Sequence, residues 1–214
     1  MKKKEKVAKI IEVFDETYPE AGCTLLYEDP LQLLVSTILA AQSTDARVNM
    51  ITPKLFEKYR NVYDFADADI YELQDIIRTI GFFRNKSKNI IACCKMIAEE
   101  YNGKVPSNMD DLLRLPGVGR KTANVVLGDV FGIPGIVVDT HCGRLARRIG
   151  FTKHEDPAKV EKDLMNIIPR EYWTKFSHQL VYHGRALCNA RKPKCIECKI
   201  NSWCDTGKKN KNTV

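Results

Sequence analysis

The sequence predicts an all-α protein, and three observations carry that reading. Apolar residues recur at the three- and four-residue spacing of amphipathic helices through most of the 214 residues. Helix start and stop signals bound those segments in order. No alternating apolar–polar run between hairpin turns occurs, and no internal repeat.

Val7, Ile10, Ile11 and Phe14 place one apolar stripe on an otherwise charged first helix. Asp29 before Pro30 is a cap followed by proline in the first turn. The segment it opens, LQLLVSTILAAQ, is apolar almost all round and belongs at the centre of a core. It stops near Gln42, Ser43 and Thr44, where Ser43 or Thr44 can cap the next helix, which Pro53 is expected to kink or divide. A further helix spans roughly 70–80 before Gly81, and a long one runs from about Asn85 to the stop signal Asn102-Gly103. A short helix ends near Arg114, the turn 115–119 follows, and another helix continues through Val130. Gly132, Pro134 and Gly135 break the chain before residues 136–138, and Asp139 can cap the helix THCGRLARRIG. Two more helices cover about 157–168 and 171–187, and the polar tail DTGKKNKNTV is expected to fray.

The length suffices to bury a sizeable core, and 44% hydrophobic with 29% charged residues is ordinary for a globular chain. No apolar run approaches the roughly 20 residues of a membrane span. The N-terminus starts basic, but Lys9, Glu12, Asp15 and Glu16 interrupt any signal-like apolar stretch, so a cytoplasmic protein is expected. Thirty-four Lys and Arg against 27 Asp and Glu give +7, which favours a polyanionic partner. Arg185, Arg191, Lys192, Lys194 and Lys199 crowd the segment that holds the last cysteines.

Of eight cysteines, four are scattered and four form Cys188-x6-Cys195-x2-Cys198-x5-Cys204. Without an export signal, a metal site is the stronger reading than disulfides. Structural zinc usually takes two CxxC-type pairs and only one is present here, while the compact spacing suits a larger cluster. On residues alone, iron–sulfur and zinc both stay open. Arg191, Lys192 and Lys194 lie between the first two cysteines, on a loop that metal would pin at both ends. Such a loop can engage phosphates, though a merely solvated loop would look the same.

Residues 113–123, LRLPGVGRKTA, form the sharpest feature. Gly117 and Gly119 flank Val118, letting the backbone turn tightly and bring N–H groups close to a ligand. They precede a helix N-terminus, where open donors and the macrodipole attract phosphate, with Arg120 and Thr122 beside them as candidate contacts. No strand precedes them and GxxxxGK[ST] is absent, so this is not a P-loop. Lys121 is out of place as a structural residue, because a cation in a first turn opposes the dipole and Arg120 beside it adds repulsion. It either reaches a phosphate or solvent, or is a nucleophile able to form a Schiff base. Asp139 is either an N-cap or a carboxylate that stabilises developing positive charge, and the two roles are compatible. His141 is either a helix residue or a DNA contact.

Taken together, LPGVGRKTANVV, VDTHCGRLARRIG and HGRALCNARKPKCIECKINSWC resemble the endonuclease III family of the helix–hairpin–helix DNA glycosylases. LLVSTILAAQSTDARVN and TIGFFRNKSKNI fit it too, so the resemblance runs from about residue 30 to residue 204. It implies two helical domains with a DNA-binding cleft between them. One is a six-helix barrel over residues 23–134, holding the helix–hairpin–helix at about 111–131. The other is an iron–sulfur domain made of residues 1–22 and 135–214. The implied enzyme is a monomer at the nucleoid of a prokaryotic cell, with double-stranded DNA carrying a damaged pyrimidine or an abasic site as its partner. By motif matching, Lys121 is the nucleophile, Asp139 its catalytic partner, and Cys188, Cys195, Cys198 and Cys204 bind [4Fe–4S]. Gln42 and Phe82 match the residues that fill the vacated base stack, although the family often has leucine at the Phe82 position. A core aromatic is the competing reading of Phe82. An adenine-mismatch glycosylase would generally lack Lys121 and carry an earlier glutamate and a longer C-terminal region. A non-catalytic DNA-binding module would leave Lys121 and Asp139 unexplained.

Overall fold

A computed structural model describes residues 2–211, and all regular elements among them are helical. In chain order these are α1 (Lys3–Thr17), α2 (Pro30–Ala40), α3 (Asp45–Lys58), α4 (Val62–Ala66), α5 (Ile70–Ile77), α6 (Phe83–Glu100), α7 (Met109–Arg114) and α8 (Arg120–Asp129). Then follow α9 (Thr140–Ile149), α10 (Pro157–Met165), a 3-10 turn (Arg170–Tyr172), α11 (Trp173–Ala186) and α12 (Asp205–Lys211). No described helix is long and apolar enough to cross a membrane.

The chain divides into two compact units: residues 23–133, and residues 1–22 with 134–214. In the first unit α2 is the central element. Leu33, Leu34 and Leu39 are fully buried, and α2 packs against α3, α6 and α8. Its start is fixed by Asp29, whose carboxylate accepts from the Gln32 N–H at 2.8 Å. Thr44 caps α3 by accepting from the Arg47 N–H at 3.2 Å. Pro53 does not divide α3: the helix runs unbroken, held by Val48, Thr52 and Leu55 buried along one face. α5 ends at Ile77 rather than near 80, and residues 78–82 turn the chain into α6. α6 ends as its stop signal indicates, with Asn102 and Gly103 at positive φ and the Gly103 N–H reaching back to the Ile97 carbonyl at 3.0 Å.

In the other unit Ile10, Phe14, Leu145, Phe151, Leu164, Phe176 and Leu180 form one core. Lys6 is buried at 7% exposure. Its ammonium donates to the Ile149 carbonyl (2.7 Å) at the end of α9 and pairs with Asp205 (2.8 Å). A cation at a helix C-terminus is favourably placed against the macrodipole. The tail expected to fray is helical over 205–211, and residues 212–214 lie outside the described residues. Its helix is nucleated locally, since the Cys204 sulfur accepts the N–H groups of Thr206 and Gly207.

Candidate active site and nucleic-acid interface

The turn between α7 and α8 closes with the Val118 N–H donating to the Leu115 carbonyl at 3.1 Å, and both side chains are buried. They anchor the loop from below and leave Gly117, Gly119, Arg120 and Lys121 exposed. The two glycines serve different ends. Gly117 has φ 79°, a left-handed conformation that disfavours any Cβ, and a Cβ there would meet that of Asn89 at 2.9 Å. Gly119 has φ −102° and open space where its Cβ would be, so neither backbone nor packing demands glycine. What its bareness provides is access. No side-chain hydrogen bond caps the first turn of α8, and an uncapped helix start suits an anion. Lys121, the second helical residue, is exposed, and its ammonium makes no ion pair or hydrogen bond among the described residues. Thr122 is half-buried beside it.

In the same unit, Gln42 and Phe82 stand on adjoining turns. Both are exposed, Phe82 at 64%, so Phe82 is not a core aromatic. Both also hold the left-handed conformation, φ 56° and 58°, which is uncommon for residues bearing a side chain. A Cβ added to Gly81 would lie 3.7 Å from the Gln42 carbonyl, which measures how closely the two turns approach.

In the other unit, Asp139 is the N-cap of α9, its carboxylate accepting from the Cys142 N–H at 2.7 Å. The second carboxylate oxygen takes no part in that bond. His141 is half-buried against Gly184, with Nδ1 3.1 Å from the Arg144 guanidinium.

Cys188, Cys195, Cys198 and Cys204 are free thiols lining one cavity together with Leu145, Ile149, Leu187, Pro193 and Ile200. Among the described residues no group of three or more His, Cys, Asp or Glu side chains is placed to hold a single metal ion. Burial first, and then the neighbouring thiols, push Cys198 up to about 11; a cationic centre reverses that preference by stabilising thiolates. Two arginines that sequence reasoning overlooked brace this segment. Arg148 donates to the Cys188 sulfur (3.3 Å) and to the carbonyls of Asn189 (2.7 Å) and Ala190 (2.8 Å), and Arg144 to the Cys188 carbonyl (3.1 Å). Their only sequence signal is a four-residue spacing on α9, which puts both on one face. The loop closes with the Lys194 N–H on the Leu187 carbonyl (3.0 Å), leaving Arg191, Lys192 and Lys194 exposed.

A helical hairpin with an uncapped helix start, placed in an all-α chain, fits a helix–hairpin–helix protein. The model of the HhH-GPD superfamily of base excision DNA repair proteins matches residues 35–170. The chain is 51% identical to an endonuclease III from Synechocystis sp., covering 94% of this chain and 93% of that one. It is 46% identical to an endonuclease III from Bacillus subtilis, over 91% and 89% of the two chains. A solved structure of a trapped endonuclease III–DNA covalent intermediate superimposes with a TM-score of 0.93 at 43% identity, covering 99% of this chain and all of that one. The chain belongs to the endonuclease III family of the HhH-GPD superfamily.

Proposed function

We propose that Lys121 is the nucleophile of this chain and Asp139 the carboxylate that stabilises positive charge on the sugar. The chain is a base excision repair DNA glycosylase with apurinic/apyrimidinic lyase activity. Its substrate is duplex DNA carrying an oxidised pyrimidine or an abasic site, on which it acts as a monomer at the nucleoid of a prokaryotic cell. The damaged nucleotide is extruded, because C1′ is inaccessible inside the stack. Lys121 Nζ attacks C1′, the glycosidic bond breaks, and the base leaves with its electron pair and takes up a proton. The ring opens to a Schiff base between Nζ and C1′. Loss of the C2′ proton then expels the 3′ phosphate by β-elimination, and water releases the enzyme from the imine. Asp139 opposes the oxocarbenium-like charge that develops before the C1′–N bond is fully replaced.

The observation that carries this reading is the placement of Lys121. It is an exposed lysine, without an ion pair or hydrogen bond among the described residues, on a helix start that has no side-chain cap. Gly117, Val118, Gly119, Arg120 and Thr122 grip the backbone beside it, with His141 as a further contact, and Gln42 and Phe82 fill the vacated stack. Cys188, Cys195, Cys198 and Cys204 hold a [4Fe–4S] cluster, for which a cavity ringed by four thiols and braced by Arg148 is suited. The cluster's contribution is structural: it fixes the segment on which Arg191, Lys192 and Lys194 face phosphate.

Borohydride trapping tests the chemistry. Wild-type protein mixed with duplex DNA containing thymine glycol forms a covalent adduct on reduction, and Lys121→Ala forms none. An adduct of equal yield with Lys121→Ala sinks the assignment. Wild-type protein is brown and holds about four iron atoms per chain, whereas Cys198→Ser loses the colour; a zinc-bearing, colourless wild type contradicts the cluster.

A further inference from the structure

Lys86 lies at the fourth position of α6, and nothing in its own helix accounts for it. A cation early in a helix opposes the macrodipole. Its side chain is buried, at 6% exposure, without a carboxylate partner. Instead the ammonium leaves α6 and donates to the carbonyls of Leu39 (2.8 Å) and Ala41 (2.6 Å) and to the Ser43 hydroxyl (3.4 Å). Leu39 and Ala41 are at the C-terminal end of α2, a helix with no basic residue in its last turn. Three donors meet three oxygens, which satisfies the ammonium in full. Burial lowers the pKa of Lys86, so the site holds the cation against a desolvation cost that these bonds offset.

The bonded oxygens bracket Gln42 on both sides, at 41 and 43, while Lys86 stands four residues after Phe82 on the helix that Phe82 begins. The clamp therefore joins the two turns on which two exposed side chains hold the uncommon left-handed conformation. Phe82 starts α6 with no side-chain cap, and its carbonyl accepts the Lys86 N–H at 3.1 Å, so the lysine is tied to both turns at once.

We infer that Lys86 is a positioning residue that locks the Gln42 and Phe82 turns into one rigid two-pronged wedge, presented as a unit to the space left by an extruded nucleotide. The inference rests on reading Gln42 and Phe82 as the stack-filling residues. Holding two prongs in fixed relation lowers the entropy lost when they enter the stack. It also explains why the α2–α3 and α5–α6 turns meet through a buried charge: apolar packing alone permits sliding, whereas a point charge on three directed oxygens does not.

The test is a double-mutant cycle on the full-length protein, read by the fluorescence of 2-aminopurine opposite a tetrahydrofuran abasic analogue in duplex DNA. Wild-type protein changes the fluorescence as the prongs displace the reporter. Lys86→Met is expected to weaken binding of this duplex by about tenfold, the scale of having to order two loosened side chains on association, and to blunt the fluorescence change at saturating protein. In a Gln42→Ala/Phe82→Ala background, adding Lys86→Met changes neither signal further, because there is no longer a wedge to position. Additive losses, or full wild-type fluorescence with Lys86→Met, overturn the proposal. Full wild-type fluorescence with the Gln42→Ala/Phe82→Ala protein instead overturns the wedge reading, so the two failures are distinct. If Lys86→Met does not fold, the same cycle is run with Lys86→Gln, which keeps a donor but not the charge, and the same outcomes decide.

Discussion

Asp139 has two roles assigned to one carboxylate, and substitution separates them. As an N-cap it accepts the Cys142 N–H at 2.7 Å, a bond asparagine makes as well as aspartate does. As a charge near the reacting sugar it must be an anion, which asparagine is not. Asp139→Asn should therefore unfold at the wild-type temperature, while Asp139→Ala loses about 1 kcal/mol of stability. At this chain length that corresponds to a melting point lower by about 2–4 °C. Base excision separates them differently. Both variants forfeit the electrostatic term, which is on the order of 100- to 1,000-fold for a single stabilising group. The assay pairs circular-dichroism melting with single-turnover release of thymine glycol from duplex DNA. The cap assignment is refuted if Asp139→Asn melts as low as Asp139→Ala. The chemical assignment is refuted if Asp139→Asn excises the base at the wild-type rate.

Gly117→Ala should cost roughly 1–2 kcal/mol, because φ 79° is unfavourable for alanine and the new Cβ meets Asn89. Gly119→Ala should cost no more than about 1 kcal/mol, the difference between glycine and alanine at an N-cap. It should nonetheless weaken duplex binding, measured by fluorescence anisotropy; unchanged affinity would show that the bare helix start is not a phosphate contact. Lys6→Met should lower stability by about 2 kcal/mol in urea titration, since the Ile149 carbonyl loses a buried charged donor while the half-exposed Asp205 contributes little. The Asp15 carboxyl lies below its usual value: burial opposes ionisation, but hydrogen bonds from Lys175 and Gln179 outweigh it. A folded-state value below the unfolded one contributes stability that is complete above the unfolded pKa and is lost as pH falls through the folded value. Asp15→Asn should accordingly melt with a shallower acid dependence than wild type below about pH 4, and parallel melting profiles would contradict this.

The helices were legible where their ends carry local signals. Asp29, Thr44 and Asp139 each cap the helix they precede, and Asn102-Gly103 ends α6. α4 was not legible because five residues are too few to display a helical period, although Asn61 caps it by accepting the N–H groups of Tyr63 and Asp64. α12 escaped for a different reason: DTGKKNK has no apolar stripe, and its start is held by the Cys204 sulfur and by Lys6, nearly 200 residues earlier. The hairpin was readable as a motif, but not the division of labour between its glycines, which depends on Asn89 from α6. Lys86, Arg144 and Arg148 were invisible for a general reason. Their partners lie about 40 to 47 residues away, and a long basic side chain looks the same in sequence whether it faces water or a buried carbonyl.

The lysines show how placement at helix ends sorts structure from chemistry. Lys6 and Lys86 both donate to carbonyls at helix C-termini, where a cation is favoured, and both are buried. Lys121 is placed in the opposite way, at a helix N-terminus that disfavours it, exposed and without a partner. Removing the Lys121 cation from the start of α8 would relieve its opposition to the macrodipole but would also remove the amine proposed as nucleophile. The ends of α2 and α9 meet cations within the fold, whereas the start of α8 has no side-chain cap and suits negative charge from outside. On the proposed function a DNA phosphate would supply it at the Gly117–Gly119 turn, and that contact would bring the Lys121 amine to the sugar beside it. On that proposal, the pairing that neutralises the helix start also positions the nucleophile.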